Sequence, residues 1–329
     1  MVFKKLKDSN VLVTGANGFL GSWLTDRLTK KSKTVVALIR DEEPESNFYK
    51  LKLDKRVTVV RGDLLDYELI LRALNEYEID HVFHLAAQAL VQVANRSPIS
   101  TFKVNILGTI YLLEAARVYG NCSSIIVASS DKAYGKHKEL PYKEDVKLNP
   151  EWPYDTSKAC ADLITRTYFN TYGLPTVTTR CANIYGGGDT NFSRIIPELM
   201  ISIIEKRAPV IRSDGSPERD YIYYEDVVNA YITCAEDAYK NEVRGEAFNF
   251  GHNKPYSVLE LVNLSLKIGG LKLKPKILGK AKGEIDKQFL DSTKARNILK
   301  WKPEFSLEQG LKLTLDWYKK NYKREWILP

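Results

Sequence analysis

Three side chains in one order have the chemistry to oxidise an alcohol. Tyr154 and Lys158 stand four apart in a stretch with helical apolar spacing, so they share one helix face. A lysine ammonium beside a phenol favours the phenolate and makes tyrosine a usable base near neutral pH. Ser130 follows the strand-like run Ser124 to Ala128 and offers a hydroxyl for the same alcohol oxygen. In a chain with 19 tyrosines a YxxxK match alone is weak. Its place after a glycine turn and a strand-end serine gives it specificity.

The glycine turn reads Gly15, Ala16, Asn17, Gly18, Phe19, Leu20, Gly21 between a short apolar strand and a helix. A first glycine permits the tight turn, a second lets the backbone approach a pyrophosphate, and a third lets helix and strand pack closely. The helix N-terminus then supplies N–H donors and a positive dipole end. The spacing is GxxGxxG, and its context points to a dinucleotide. At the end of the second strand Ile39 takes the place of the usual acid and Arg40 follows, with Asp41 next. An Arg there accommodates a 2′-phosphate, so the sequence favours NADP, with NAD as the other option. Asp63 and Leu64, after the third strand, are placed to meet the adenine.

The elements that must position these groups alternate strand and helix through the first half. Strands are expected at 11–14, 34–39, 57–60, 81–85, 124–128 and 176–179. Helices are expected at 19–28, 67–74, 98–119 and 153–172. Repeated βα units of this length imply a parallel sheet with helices on both faces. After residue 184 the rhythm breaks, with helices expected near 195–206, 226–239, 261–268 and 307–318. Ser257 and Glu260 make a capping box. The fold class is therefore α/β, a doubly wound parallel sheet with a smaller C-terminal α/β lobe.

The chain has 329 residues, 44% apolar and 27% charged, ordinary values for a globular protein. No apolar run reaches the ~18 residues of a membrane span, and no signal-peptide pattern opens the chain, so a cytoplasmic protein is expected. Four separated cysteines and four histidines without HxxxH spacing suggest neither a disulfide scaffold nor a metal site. The net charge of +8 is spread over the N-terminus, 272–287 and the tail, interrupted by acids. It suits an anionic small substrate better than a nucleic acid.

Taken together, these motifs resemble an extended short-chain dehydrogenase/reductase of the nucleotide-sugar branch. The resemblance rests on Thr14 to Gly21, His84 to Gln88, Asn105 with Gly108-Thr109, Tyr154 to Lys158, Arg180 with Asn183, and Arg219 to Ile222. It implies a Rossmann-type domain over 1–180, with 221–250 woven back into it. It also implies a nucleotide-sugar-binding domain from 181–220 and 251–329. By the same resemblance Leu85, Ala86, Ala87, Gln88 and Asn105 belong to the cofactor site. Gln88, Asn183, Arg194 and Arg219 then belong to the substrate site. A homodimer through 105–119 and 153–172 is implied as well.

Within this branch the residues after the serine discriminate. Asp131-Lys132 matches the acid–base pair of CDP-glucose 4,6-dehydratases, where epimerases have small or neutral residues. Gly186-Gly187-Gly188-Asp189 with Arg194 to Pro197 resembles their substrate loop. The resemblance implies that Tyr154, Ser130 and Lys158 handle the 4-hydroxyl. Asp131, shielded from water, protonates the departing 6-hydroxyl, and Lys132 takes the C5 proton or stabilises the enolate, its own affinity lowered by burial beside Lys158. The alternatives are a strand-end ion pair at 131–132, a 4-epimerase or 4-reductase, and a non-catalytic NADP-binding sensor or scaffold.

Overall fold

The computed structural model describes residues 3–279 and 285–323; part of the basic stretch 272–287, and 324–329, lie outside the described residues. Strand β1 (Asn10–Thr14) leads into helix α1 (Phe19–Leu28), and β2 (Thr34–Ile39) into the short α2 (Asn47–Lys50). β3 (Thr58–Arg61) precedes α3 (Tyr67–Glu76). β4 (His81–His84) precedes α4 (Val91–Arg96), α5 (Pro98–Phe102) and α6 (Gly108–Tyr119). β5 (Ser124–Ala128) is followed by the long α7 (Pro153–Tyr172) and β6 (Thr176–Cys181).

The rest of the chain carries β7 (Asn183–Tyr185), α8 (Ile195–Ile204), β8 (Val210–Ile211), β9 (Glu218–Arg219), β10 (Tyr221–Tyr223) and α9 (Tyr224–Asp237). After these come β11 (Ala247–Phe250), β12 (Tyr256–Ser257), α10 (Val258–Ile268), β13 (Lys276–Ile277), β14 (Lys287–Gln288), α11 (Thr293–Ile298) and α12 (Leu307–Asn321). The capping box expected at Ser257 and Glu260 is formed, and Ser306 with Gln309 makes a second one.

Seven strands form one parallel sheet in the order β11-β6-β5-β4-β1-β2-β3. Strand order reverses between β1 and β4, and ligands of such sheets bind in the crevice at the strands' carboxyl ends there. Both faces are covered, which is why the strands read as nearly continuous apolar runs. Leu12, Val36, Val82, Ile125 and Val127 face one core, while Val11, Val13, Ala37, Phe83 and Ile126 face the other.

The expected single helix over 98–119 is interrupted. A wider π-type turn at Lys103–Leu107 separates α5 from α6 and re-aims Asn105. Gly186 to Gly188, which the sequence likens to a substrate loop, packs against Trp317 of α12 and Trp23 of α1. A Cβ at Gly187 would stand 2.3 Å from the Trp317 ring, and the Gly187 carbonyl accepts the Trp23 indole N–H at 2.7 Å.

At the far end of the sheet a buried guanidinium joins three segments. Arg180 on β6 donates to both Asp162 carboxylate oxygens on α7 at 2.8 and 2.9 Å. It also donates to the Tyr134 hydroxyl at 2.8 Å and to the Glu144 carbonyl at 3.0 Å. Tyr134 in turn donates to Asn249 on β11 at 2.7 Å. Removing one partner of such a pair leaves an uncompensated buried charge. Asp162→Ala should therefore lower stability by about 3–5 kcal/mol in urea unfolding, and a loss near zero would show that Arg180 finds other partners.

Candidate active site

The sheet's switch point opens into a cavity of about 1060 Å³ that runs from the glycine turn to Arg219 and Val210. At its near end Gly15 sits at φ +69°, where a Cβ would meet the Ala86 backbone N at 2.8 Å, so β1 and the 85–88 loop touch main chain to main chain. A Cβ on Gly21 would stand 2.0 Å from the Gly15 carbonyl oxygen. Gly18 is different: only the Gly15 carbonyl lies within 4 Å of its hypothetical Cβ, at 3.3 Å. It is the N-cap of α1 and provides no side-chain cap, so the first helical N–H groups face the cavity. A dinucleotide pyrophosphate fits this cradle. Gly15, Asn17, Gly18, Phe19, Leu20, Gly21, Arg40, Asp63, Leu64, Leu85, Ala86, Ala87 and Gln88 all line the cavity.

Arg40 does not stand alone. Its guanidinium lies 2.6 Å from Asp41 and 4.0 Å from Asp63, in an exposed cluster. Asn105 lies behind the cavity wall. Its amide accepts from Gln88 N at 2.7 Å and donates to Gln88 O at 3.1 Å and Ser157 Oγ at 2.8 Å. A buried chain supports this brace: Thr14 Oγ1 meets His84 Nδ1 at 2.8 Å, and His84 Nε2 meets Thr109 Oγ1 at 3.0 Å. Burial holds the His84 imidazole down at about 3, so it stays neutral in that chain.

The reacting groups come from two segments. β5 ends at Ala128 and the chain turns tightly through Asp131–Tyr134. Ser130 Oγ caps that turn, accepting from Lys132 N at 3.2 Å and donating to Asp131 Oδ1 at 3.1 Å. The turn closes at Gly135, where a Cβ would overlap the Asn149 carbonyl. Pro153 starts α7 at its first turn, where its missing N–H costs nothing, and Tyr154 and Asp155 follow at the cavity. Ser130, Asp131, Lys132, Tyr154 and Lys158 thus line one cavity, with Asn183, Arg194 and Arg219.

The electrostatics differ from the sequence expectation at one point. Burial pushes the Tyr154 phenol up to about 12, while Arg194 and a hydrogen bond with Ser130 pull it down. Lys158 is not what lowers it. The Lys158 ammonium instead donates to the Ala128 carbonyl at 2.7 Å, and burial brings it down to about 8. Shared helix face therefore places the two residues but does not aim the ammonium at the phenol. Lys132 is lowered as expected, by burial first, and the neighbouring cation is Arg219 rather than Lys158. Asp131 is 3% exposed and lies 3.7 Å from the Lys132 ammonium.

Arg194 is tethered to Asp189 at 3.0 Å, and Asn183 donates to the Asp220 carbonyl at 3.1 Å. Arg219 donates to its neighbour's carbonyl, Glu218, at 2.8 Å.

Two residues escaped the sequence reading. Asp155 is buried against Lys132 and Asp131, and burial pushes its carboxyl up to about 6. In sequence it looks like an ordinary acid in a first helical turn. Gln288 contacts both members of the Asp131–Lys132 pair from 156 residues away, and no local pattern announces it.

A family model described as GDP-mannose 4,6 dehydratase matches residues 12–314 of the chain. The UDP-glucose 4-epimerase of Mycolicibacterium smegmatis is 31% identical over 315 residues, covering 94% of this chain and 98% of the relative. The CDP-glucose 4,6-dehydratase of Salmonella typhimurium is 28% identical over 324 residues, covering 94% and 90%. The crystal structure of dTDP-glucose 4,6-dehydratase from Bacillus anthracis in complex with NAD superposes with a TM-score of 0.84 at 26% identity, covering 97% of this chain and 98% of that one.

The cradle geometry separates folding from cofactor binding. Gly18→Ala should keep its melting temperature while weakening NAD(P) binding about tenfold, roughly 1.4 kcal/mol, in a fluorescence titration. Unchanged binding would remove Gly18 from the pyrophosphate contact.

Proposed function

The chain belongs to the GDP-mannose 4,6 dehydratase family of extended short-chain dehydrogenases/reductases, and within it we propose a nucleotide-sugar 4,6-dehydratase, with CDP-glucose the favoured substrate. The observation that carries this reading is the pair of buried Asp131 and half-buried Lys132 beside Ser130, in the cavity that Tyr154 also lines. Oxidation and reduction at one carbon need Ser130, Tyr154 and Lys158 alone. An added acid and base, both shielded from water, suit removal of a proton and a hydroxyl from adjacent carbons.

Bound NAD(P) supplies a reversible acceptor for the C4 hydrogen, taken with its electron pair and given back at C6. Tyr154 Oη takes the 4-hydroxyl proton, with Ser130 Oγ hydrogen-bonding the same oxygen. Lys158, held by the Ala128 carbonyl at the same cavity, adds a cation to the site as charge develops on the sugar oxygen. The C4 ketone acidifies C5–H, and Lys132 Nζ takes that proton. Asp131 protonates O6, which leaves as water, Lys132 returns its proton to C5, and the proton taken by Tyr154 passes through water to Asp131, which restores both groups. The net change is loss of one water. Arg219, Arg194 and Asn183 are placed for the nucleoside diphosphate, a fork of donors suited to phosphate. In this reading the sheet lobe, with 221–250, holds the cofactor, and 181–220 with 251–329 holds the nucleotide sugar.

The UDP-glucose 4-epimerase relative at 31% identity supports a second reading, a 4-epimerase, in which Asp131 and Lys132 only orient the sugar. For the cofactor, the two carboxylates beside Arg40 tell against a 2′-phosphate, so NAD is proposed ahead of the NADP that Arg40 alone favours. We also propose a homodimer through the outer faces of α5, α6 and α7. Ile99, Val118, Leu163 and Tyr172 are 67%, 51%, 55% and 56% exposed there, an apolar band unusual on a monomer's surface.

Incubation with CDP-glucose, dTDP-glucose, UDP-glucose and GDP-mannose without reductant should give one product lighter by a water, read by mass spectrometry. Asp131→Asn should abolish that loss and still oxidise C4, seen as a rise in cofactor absorbance; unchanged dehydration would exclude Asp131 as the acid. No mass change on any sugar would leave the epimerase. In titrations of the apoprotein NAD should bind about tenfold more tightly than NADP. Leu163→Glu should convert a dimer to a monomer in sedimentation velocity, and a wild-type monomer would refute the interface.

A further inference from the structure

Gln288 is fully buried on β14, in the smaller lobe, yet its side chain ends at the acid–base pair on the sheet lobe. Its Nε2 donates to the Asp131 carbonyl at 2.9 Å, and its Oε1 accepts a hydrogen bond from Lys132 Nζ. The amide's orientation follows from chemistry. A flip would set the NH2 group against an ammonium and carbonyl against carbonyl. Gln288 does not line the cavity, whereas Asp131 and Lys132 do, so it acts from behind the wall. Its strand partner at the same register is Arg219 on β9, and Gln288 O accepts from Asp220 N at 3.3 Å.

We propose that Gln288 is a positioning residue for the acid–base pair: its amide fixes the Lys132 ammonium and the Asp131 main chain against the sugar and ties both to the strand pair that carries Arg219. The inference rests on the reading of Lys132 as the C5 base. Lys132 has three donors on a flexible stem of four carbons and no preferred direction of its own. Asp131 at 3.7 Å is too far to aim it, since a hydrogen bond from an ammonium to a carboxylate runs to ~2.7–2.9 Å. The neutral amide aims the amine without adding charge that would hold its proton. A carboxylate in the same place would add that charge. The amide also couples the lobes, because a displacement of β14 with β9 moves the Lys132 amine relative to Tyr154.

Two substitutions test this in the purified protein with its cofactor. Gln288→Glu preserves volume and places a negative charge beside Lys132, which raises its proton affinity and moves the base limb to higher pH. The pH midpoint for acetylation of Lys132 by acetic anhydride, followed by peptide mass spectrometry, should rise by about one unit, and the acidic limb of dehydration should rise with it. Gln288→Leu removes both hydrogen bonds. On the sugar nucleotide that the wild type dehydrates, kcat should fall about 10–100-fold while KM stays within about threefold, the pattern of a group acting in the transition state. An unshifted Lys132 midpoint in Gln288→Glu, or a Gln288→Leu variant that raises KM with kcat intact, overturns the proposal. Absence of water loss in the wild type overturns the dehydratase reading alone, and the labelling midpoint then decides whether Gln288 governs Lys132. Circular dichroism separates a folding defect in Gln288→Leu from a lost contact.

Discussion

The site depends on one buried guanidinium. Two chain segments carry the reacting groups, the turn after β5 and the first turn of α7, and neither can place itself. Arg180 reaches α7 through Asp162, the turn through the Tyr134 hydroxyl, and the following loop through the Glu144 carbonyl. Together these bonds tie α7, the turn after β5 and the following loop to β6. A buried pair of this kind need not stabilise more than apolar packing would, since desolvation offsets most of the attraction. Its value here is directional: four donors of a planar fork accept one arrangement of three backbone segments.

The cavity wall in front of this anchor is governed by desolvation. Burial moves phenol and carboxyl groups up and amines down, so Tyr154, Asp155, Lys132 and Lys158 are all driven toward neutral forms. Arg194, paired with Asp189, and Arg219 bring two guanidinium forks to the same cavity. Two guanidinium groups and four groups with burial-shifted proton affinities thus line the same cavity.

Much of this was legible in the chain. The glycine turn, α1 and α7, and the order Ser130, Tyr154, Lys158 could be read because each depends on local spacing. The 98–119 helix was misread at its π-type turn, since a single inserted residue leaves the apolar periodicity almost intact. Asn105 looked like a cofactor ligand and is a brace under Gln88, a difference set by neighbours rather than by sequence. The Tyr154–Lys158 electrostatics were misjudged for a related reason: spacing fixes a face, but where a lysine stem bends depends on the free carbonyl at the end of β5. Gln288 was invisible because its partners are brought to it only by the finished fold.

The position of β11 has a bearing on how the chain is made. This strand completes the sheet beside β6, yet it is Ala247 to Phe250, long after β6 ends at Cys181. During synthesis β6 leaves the ribosome as a bare parallel edge, with backbone donors and acceptors unpaired and ready to recruit a foreign strand. The intervening β7 to α9 must emerge before that edge can be closed from within the molecule. The order of strands along the chain thus leaves the β6 edge open until β11 has been made, and the same would hold for any chain that inserts its last sheet strand so late.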